Sequence, residues 1–167
     1  DGSLRDAEVV LEQLASFVSG TITEADVTAL LGAIDVDALW TLTQAILDRD
    51  APTALTTLLG QLEQGKEASQ LLTCLLRHLR NLQIIASTAQ APSRETLRAR
   101  LIDEPAEHIA RLSEQAGRSS EPELLMFLQI AGGAYDLIRR SPTAQTILEL
   151  VVIKLATRDQ WQSLGEI

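Results

Sequence analysis

The chain has 167 residues, of which 46% are apolar, 22% charged and 3% aromatic. That is enough apolar mass for a packed core, and the dominance of Leu and Ala favours helices over a β-sandwich or barrel. With 14 Lys and Arg against 23 Asp and Glu the net charge is −9, which excludes binding nucleic-acid phosphate over the general surface; Cys74 is the single cysteine, which excludes an internal disulfide and a Cys-based zinc cluster and fits a reducing compartment.

Apolar residues recur at helical spacing nearly throughout. Leu4, Ala7, Leu11, Leu14 and Val18 form a first stripe, opened by the capping box Ser3-Leu4-Arg5-Asp6. Ser19-Gly20 breaks the chain. A second capping box, Thr23-Glu24-Ala25-Asp26, opens a short helix carrying Val27, Leu30 and Leu31, with Gly32 placed to stop it. Asp35 is placed to cap the next helix, which is expected to bury Val36, Leu39, Trp40, Ile46 and Leu47. Asp50-Ala51-Pro52 restarts the chain, with Pro52 in the first turn, where its missing N–H costs little. Leu55, Leu58, Leu59 and Leu62 follow, and Gly65 closes that helix.

A long helix over roughly 67–89 carries Leu71, Leu72, Leu75, Leu76, Leu79, Leu82 and Ile85, with Arg77, His78 and Arg80 on a flank. Pro92-Ser93 ends it and caps a short basic helix through Arg94, Arg98 and Arg100. Pro105 starts another, up to Gly117. Pro122 starts a long one through Arg140, and Pro142 a last one through about Arg158. No alternating stretch bounded by hairpin residues occurs, so no strands are expected and the fold class is all-α. The last two predicted helices are apolar round most of their circumference. Such a helix is buried centrally in its own bundle or against another subunit, and the central position is the simpler reading. Gly132-Gly133 inside a helix points to a close crossing or a kink.

Internal evidence for an active site is absent. Residues 60–67 read Gly-x-x-x-x-Gly-Lys-Glu, one residue from a phosphate-binding loop, but Gly60 falls inside a predicted helix, no strand precedes it, and Glu67 stands where a hydroxyl should hold magnesium. His78 and His108 form no helical zinc pair, and His78 between two arginines reads as a surface residue. Cys74 among leucines reads as a buried apolar residue. Asp48, Asp50, Glu63 and Glu67 read as solvated helix ends rather than a carboxylate pair. Arg5 stands apart, because it lies in the first turn of a helix, where outward N–H groups favour anions and a guanidinium adds a two-pronged phosphate grip.

The run Gly2-Ser3-Leu4-Arg5-Asp6-Ala7, continued by Val10-Leu11-Glu12-Gln13, resembles the sensor-2 helix in the lid of the AAA+ clamp-loader ATPases, most nearly the gamma/tau subunits of bacterial DNA polymerase III. That family tends to carry Asp where this chain has Glu12. The resemblance continues through Thr23-Glu24-Ala25-Asp26-Val27 and Leu31-Gly32, then Ile46-Leu47-Asp48-Arg49-Asp50, Gln61-Leu62-Glu63-Gln64-Gly65, Leu76-Arg77-His78-Leu79-Arg80-Asn81-Leu82 and Leu148-Glu149-Leu150. The stretch from about 92 to 120 matches weakly and the tail from Trp161 to Ile167 not at all.

The resemblance implies a helical lid remnant over 1–34, a multi-helix collar and oligomerisation bundle over 35–158, and a tail over 159–167. It implies Arg5 as the cofactor contact, reaching the phosphates of ATP in the full-length subunit. The family's phosphate loop, magnesium-binding strand, trans-acting arginine and zinc module would lie upstream of residue 1, and a tau-type polymerase-binding extension downstream of residue 167. The chain alone is then no ATPase and holds neither ATP nor magnesium. Its partners would be other clamp-loader subunits, through the collar, in a homo- or hetero-oligomer. Sliding clamp and DNA would be met only through other domains, with no membrane, in the bacterial cytoplasm. The competing reading is a free-standing, dimerising regulatory or ligand-sensing domain, using the final two helices as its dimer face. A basic recognition helix should precede such a domain, and 1–34 shows none.

Overall fold

The computed structural model describes residues 34–158, which form eight helices and no strand. They are α1 (Val36–Leu47), α2 (Ala51–Glu63), α3 (Ala68–Ser87), α4 (Arg94–Leu101), α5 (Ala106–Ala116), α6 (Glu121–Gly133), α7 (Tyr135–Arg140) and α8 (Ala144–Ala156). The all-α expectation holds across these residues. The expected lid helices, with Arg5, and the tail lie outside them.

The punctuation follows the residues that set it. Pro52 and Pro122 sit in the first turns of α2 and α6, and Pro105 caps α5. The Asp50 carboxylate accepts from the Thr53 N–H at 3.1 Å, and the Ser120 hydroxyl accepts from the Glu123 N–H at 3.3 Å. Asp35 occupies the N-cap of α1 without a side-chain cap; its own N–H donates to Gln61 Oε1 at 3.2 Å, tying the start of α1 to α2. Gly65 closes α2 in the left-handed region, φ 88°, where a side chain would be strained. Arg49 takes the same region, φ 60°, between α1 and α2, and the Asp50 N–H reaches back to the Ala45 carbonyl at 2.8 Å.

α3 is the axis of the bundle. Its periodic leucines, Leu71, Leu72, Leu75, Leu79 and Leu82, are all buried, with Ile85. α1, α4, α5, α6, α7 and α8 all pack against it, while α2 is carried mainly by α1 and α8. Of the residues expected inside α1, Trp40, Ile46 and Leu47 are buried and Leu39 partly so, but Val36 is exposed because it sits in the first turn, ahead of the packed stretch. Cys74 is half-buried, packed against the core from its edge.

Two expectations are corrected. The helix predicted to run from Pro122 through Arg140 is broken at Ala134, where α6 ends and α7 begins. The glycines mark this kink and not a close crossing. A Cβ at Gly133 would meet nothing within 4 Å, and one at Gly132 would only touch Leu76 Cδ2 at 4.0 Å. His78 is the second correction. It is 6% exposed, because its position on α3 turns inward toward α1 and α5 and not along the arginine flank.

Because open space surrounds Gly133, we predict that Gly133→Ala stabilises the chain by roughly 0.5–1 kcal/mol through lower backbone entropy in the unfolded state. Thermal melts should show a rise of a few degrees; a fall would mean that the kink itself requires glycine.

Candidate functional site

Two buried polar clusters fix the bundle, and one apolar face is left open. The first cluster surrounds Trp40. The His78 ring meets the indole edge-on with centroids 4.5 Å apart, and the Arg111 guanidinium lies over the indole at 4.4 Å. His78 Nε2 lies 2.6 Å from Gln115 Oε1. The Gln115 amide donates to the Trp40 carbonyl at 3.4 Å and to Gln44 Oε1 at 3.3 Å, which leaves its oxygen as acceptor and makes His78 the donor. Three helices, α1, α3 and α5, are joined by this chain of bonds. Above it opens a cleft of about 370 Å³ whose charged rim includes Arg111, Glu114, and the Arg118–Asp48 pair at 3.6 Å. Asp48 and Asp50 therefore serve a surface pair and a helix cap, as expected of solvated helix ends.

The second cluster centres on Arg158, one turn beyond Leu155. Its guanidinium is almost wholly buried and donates to the Ile46 carbonyl at 2.7 Å, the Leu47 carbonyl at 3.0 Å and the Glu123 carboxylate, while lying over the Phe127 ring at 4.8 Å. The two carbonyls belong to the last turn of α1, where the helix dipole favours a cation. Arg158 thus ties the end of α8 to the end of α1 and the start of α6. Ser119 Oγ donates to the other Glu123 oxygen at 2.6 Å, and Arg49 stands 4.0 Å from the carboxylate.

Both clusters carry shifted ionisations. Burial pushes the His78 pKa below its ordinary value of 6.5, aided by Arg111, and outweighs the raising effects of Gln115 and Glu104. For Glu123, burial pushes upward, but the hydrogen bonds from Ser119 and Arg158 and the charges of Arg158 and Arg49 outweigh it and hold the carboxyl below the usual range.

The open face lies on α6, α7 and α8. These helices bury Leu124, Phe127, Ala131, Ile138, Leu148, Val152 and Leu155, yet leave Leu137 59% and Leu150 60% exposed. Leu137, Leu150, Ile130 and Ile147 line a shallow groove of about 500 Å³ between α6–α7 and α8, with Lys154 at its edge. The apolar circumference read from the sequence is therefore divided: one side fills the bundle and the other faces outward. The decoy loop lacks all context, since Gly60 lies inside α2. Among the described residues no group of three or more His, Cys, Asp or Glu is placed to hold a metal, and no helix is long and apolar enough to cross a membrane. Arg158 and Gln115 were not identifiable from the sequence, because their partners stand up to 112 residues away.

Comparison with known proteins adds two findings. The family model described as DNA polymerase III subunits gamma and tau domain III matches residues 22–166. DNA polymerase III subunit tau of Bacillus subtilis is 24% identical over 156 residues, covering 93% of this chain and 26% of that protein, so the chain spans about a quarter of the relative's length.

The two ionisations predict the acid side of the stability profile. His78 binds protons less readily folded than unfolded, so stability is full above about pH 6.5 and falls as pH drops from there toward the lower folded value. Glu123 contributes stability that is present above about pH 4.5 and lost as pH falls through its depressed value. In denaturant titrations His78→Phe should flatten the profile between pH 7 and 5 and leave the steeper loss below pH 4.5. An unchanged slope between pH 7 and 5 would contradict the His78 assignment.

Proposed function

The chain belongs to the family of DNA polymerase III gamma and tau subunits, as their domain III, and from that premise we propose that it serves as the collar of a bacterial clamp loader. The observation that carries this reading is the α6–α8 face. A bundle with a packed apolar interior still presents Leu137 and Leu150 exposed along one groove, as a surface built to meet a neighbouring subunit does. Residues 35–158 are the collar, and 1–34 the rear of an AAA+ lid. The complete subunit uses ATP and magnesium held by other domains, works in the bacterial cytoplasm, and meets the sliding clamp and DNA outside this segment. The net charge of −9 supports a collar that does not touch DNA. A free-standing ligand sensor is disfavoured by the family match, which covers most of the chain.

Within this reading Arg5 senses the nucleotide. Its guanidinium, at the helix N-terminus expected from the sequence, contacts the phosphates of ATP bound in the same subunit and couples lid angle to nucleotide state. The chain alone hydrolyses no ATP.

Two outcomes are expected. An aspartate at Leu137 or Leu150 places an unpaired charge in the interface and should disperse subunit assembly, with helicity and melting temperature preserved because both side chains are exposed in the monomer. Sedimentation of the complete subunit with its neighbours checks this, and undisturbed assembly by both variants would refute the face assignment. Arg5→Ala should slow ATP-dependent clamp loading about ten-fold or more, since a charge-assisted contact contributes about 1.5–3 kcal/mol, while assembly stays intact. Arg5→Lys should rescue only part, because an ammonium cannot make the two-pronged contact. Normal loading by Arg5→Ala would refute the sensor role.

A further inference from the structure

α4 carries no buried residue. It is held on the surface mainly by polar bonds, with Ile102, just past its last turn, as a buried apolar anchor. Arg98 Nε donates to Thr88 Oγ1 at 3.0 Å and its Nη2 to the Ile85 carbonyl at 2.9 Å; Arg80 Nη1 donates to the Leu101 carbonyl at 2.7 Å. Arg94 adds a longer bond to the Ala89 carbonyl at 3.4 Å. The helix's leucines are therefore left outward, Leu97 37% and Leu101 44% exposed. On an ideal helix of about 3.6 residues per turn, Leu97 and Leu101 share one stripe, with Arg94 and Arg100 flanking it and Glu95 on the far side.

The charge here runs against the rest of the molecule. Residues 77–104 hold five arginines and three carboxylates in a chain of net charge −9. Beside α4 is a cleft of about 300 Å³ lined by Arg77, Arg80, Asn81, Leu101, Asp103 and Glu104. Glu104 is engaged by His108 at 2.9 Å. Among the described residues Arg77 and Arg100 make no hydrogen bond or ion pair, so two guanidinium groups beside the leucine stripe remain available. This surface is distinct from the α6–α8 face and does not depend on the collar reading.

We propose that α4 and the cleft beside it form a docking surface for an acidic polypeptide segment that carries leucine-like side chains at helical spacing. Guanidinium groups take carboxylates in two-pronged contacts, and the Leu97–Leu101 stripe takes the apolar face of the same segment. Nucleic acid fits less well, because phosphate leaves the leucines unused and no aromatic side chain is present on α4 to stack a base. The chain as a whole is net acidic, so an acidic segment is drawn to this patch over the molecule at large.

Fluorescence anisotropy on the 167-residue chain tests this with three labelled probes: a helical Glu–Leu peptide, a polyglutamate of equal length, and an oligo(dT) strand. The Glu–Leu peptide should bind in a salt-sensitive manner and better than polyglutamate. Arg77→Glu with Arg100→Glu should weaken it about ten-fold or more, and Leu97→Ser with Leu101→Ser should remove its advantage over polyglutamate. The tethering residues Arg80, Arg94 and Arg98 are untouched, so circular dichroism should be unchanged; Arg77→Lys with Arg100→Lys should keep only part of the binding, because an ammonium keeps the charge but cannot make the two-pronged contact. Absence of peptide binding, equal binding by the charge-reversed chain, equal binding of polyglutamate, or preference for oligo(dT) would each overturn the proposal.

Discussion

The burial of one helix along all but a solvent-facing stripe of Gln70, Thr73, Arg77, Arg80 and Ser87 is the constraint on which the rest of the structure depends. α3 is 20 residues long, enough to span the bundle, and its leucine stripe is wide enough to receive helices from several directions. Each burial of a leucine side chain is favourable by about 1.5–3 kcal/mol, so α3 supplies a large share of the apolar driving force. What apolar packing leaves undetermined is how the ends of the chain meet. Arg158 determines that, by placing a buried cation against the last carbonyls of α1 and the carboxylate of Glu123. The Trp40–His78–Gln115 chain does the same for α1, α3 and α5. Both clusters are directional where leucine contacts are not, and they select one arrangement of helices from the many that would bury similar area.

Much of this architecture was legible locally. Prolines at 52, 92, 105, 122 and 142 sit in a helix's first turn or just ahead of it, and Asp50 and Ser120 cap as their chemistry requires. Such signals depend on a few neighbouring residues, which a sequence displays directly. The burial of His78 is not legible locally, because two flanking arginines suggest a solvated flank, whereas residues one and two positions away on a helix point in different directions. Arg158 looked like a helix end for the opposite reason: nothing near it in sequence shows that Ile46 and Leu47 will offer their carbonyls. The kink at Ala134 was half legible, since the paired glycines signalled a weak point without saying whether a neighbour or open space caused it. Of the candidate site, the apolar surplus on the last helices was visible as composition, but its division between core and surface was not.

The two surfaces left open by the fold differ in kind. The α6–α8 groove is apolar with Lys154 at its edge, and it suits a rigid neighbour that covers leucines with leucines. The α4 patch is small, basic and held by polar bonds, and it suits a short charged segment. Association through the first buries a face continuous with the core, so it is coupled to the stability of α6 and α8. Association through the second engages exposed side chains of α4 and Arg77 on the outer face of α3, so it requires no repacking of the core. The proposed subunit face and the proposed peptide patch lie on different helices, so occupying one leaves the other open.

The collar assignment is tested most directly by hydrogen exchange on the complete subunit, measured alone and in the assembled loader. α3 should be protected in both states, because its amides lie inside the bundle whatever surrounds it. Amides of α7 and α8, around Leu137 and Leu150, should gain protection only on assembly. Gain at these helices is the expected result. Protection confined to other elements, with α7 and α8 exchanging alike in both states, would contradict the assignment of this face as the subunit interface.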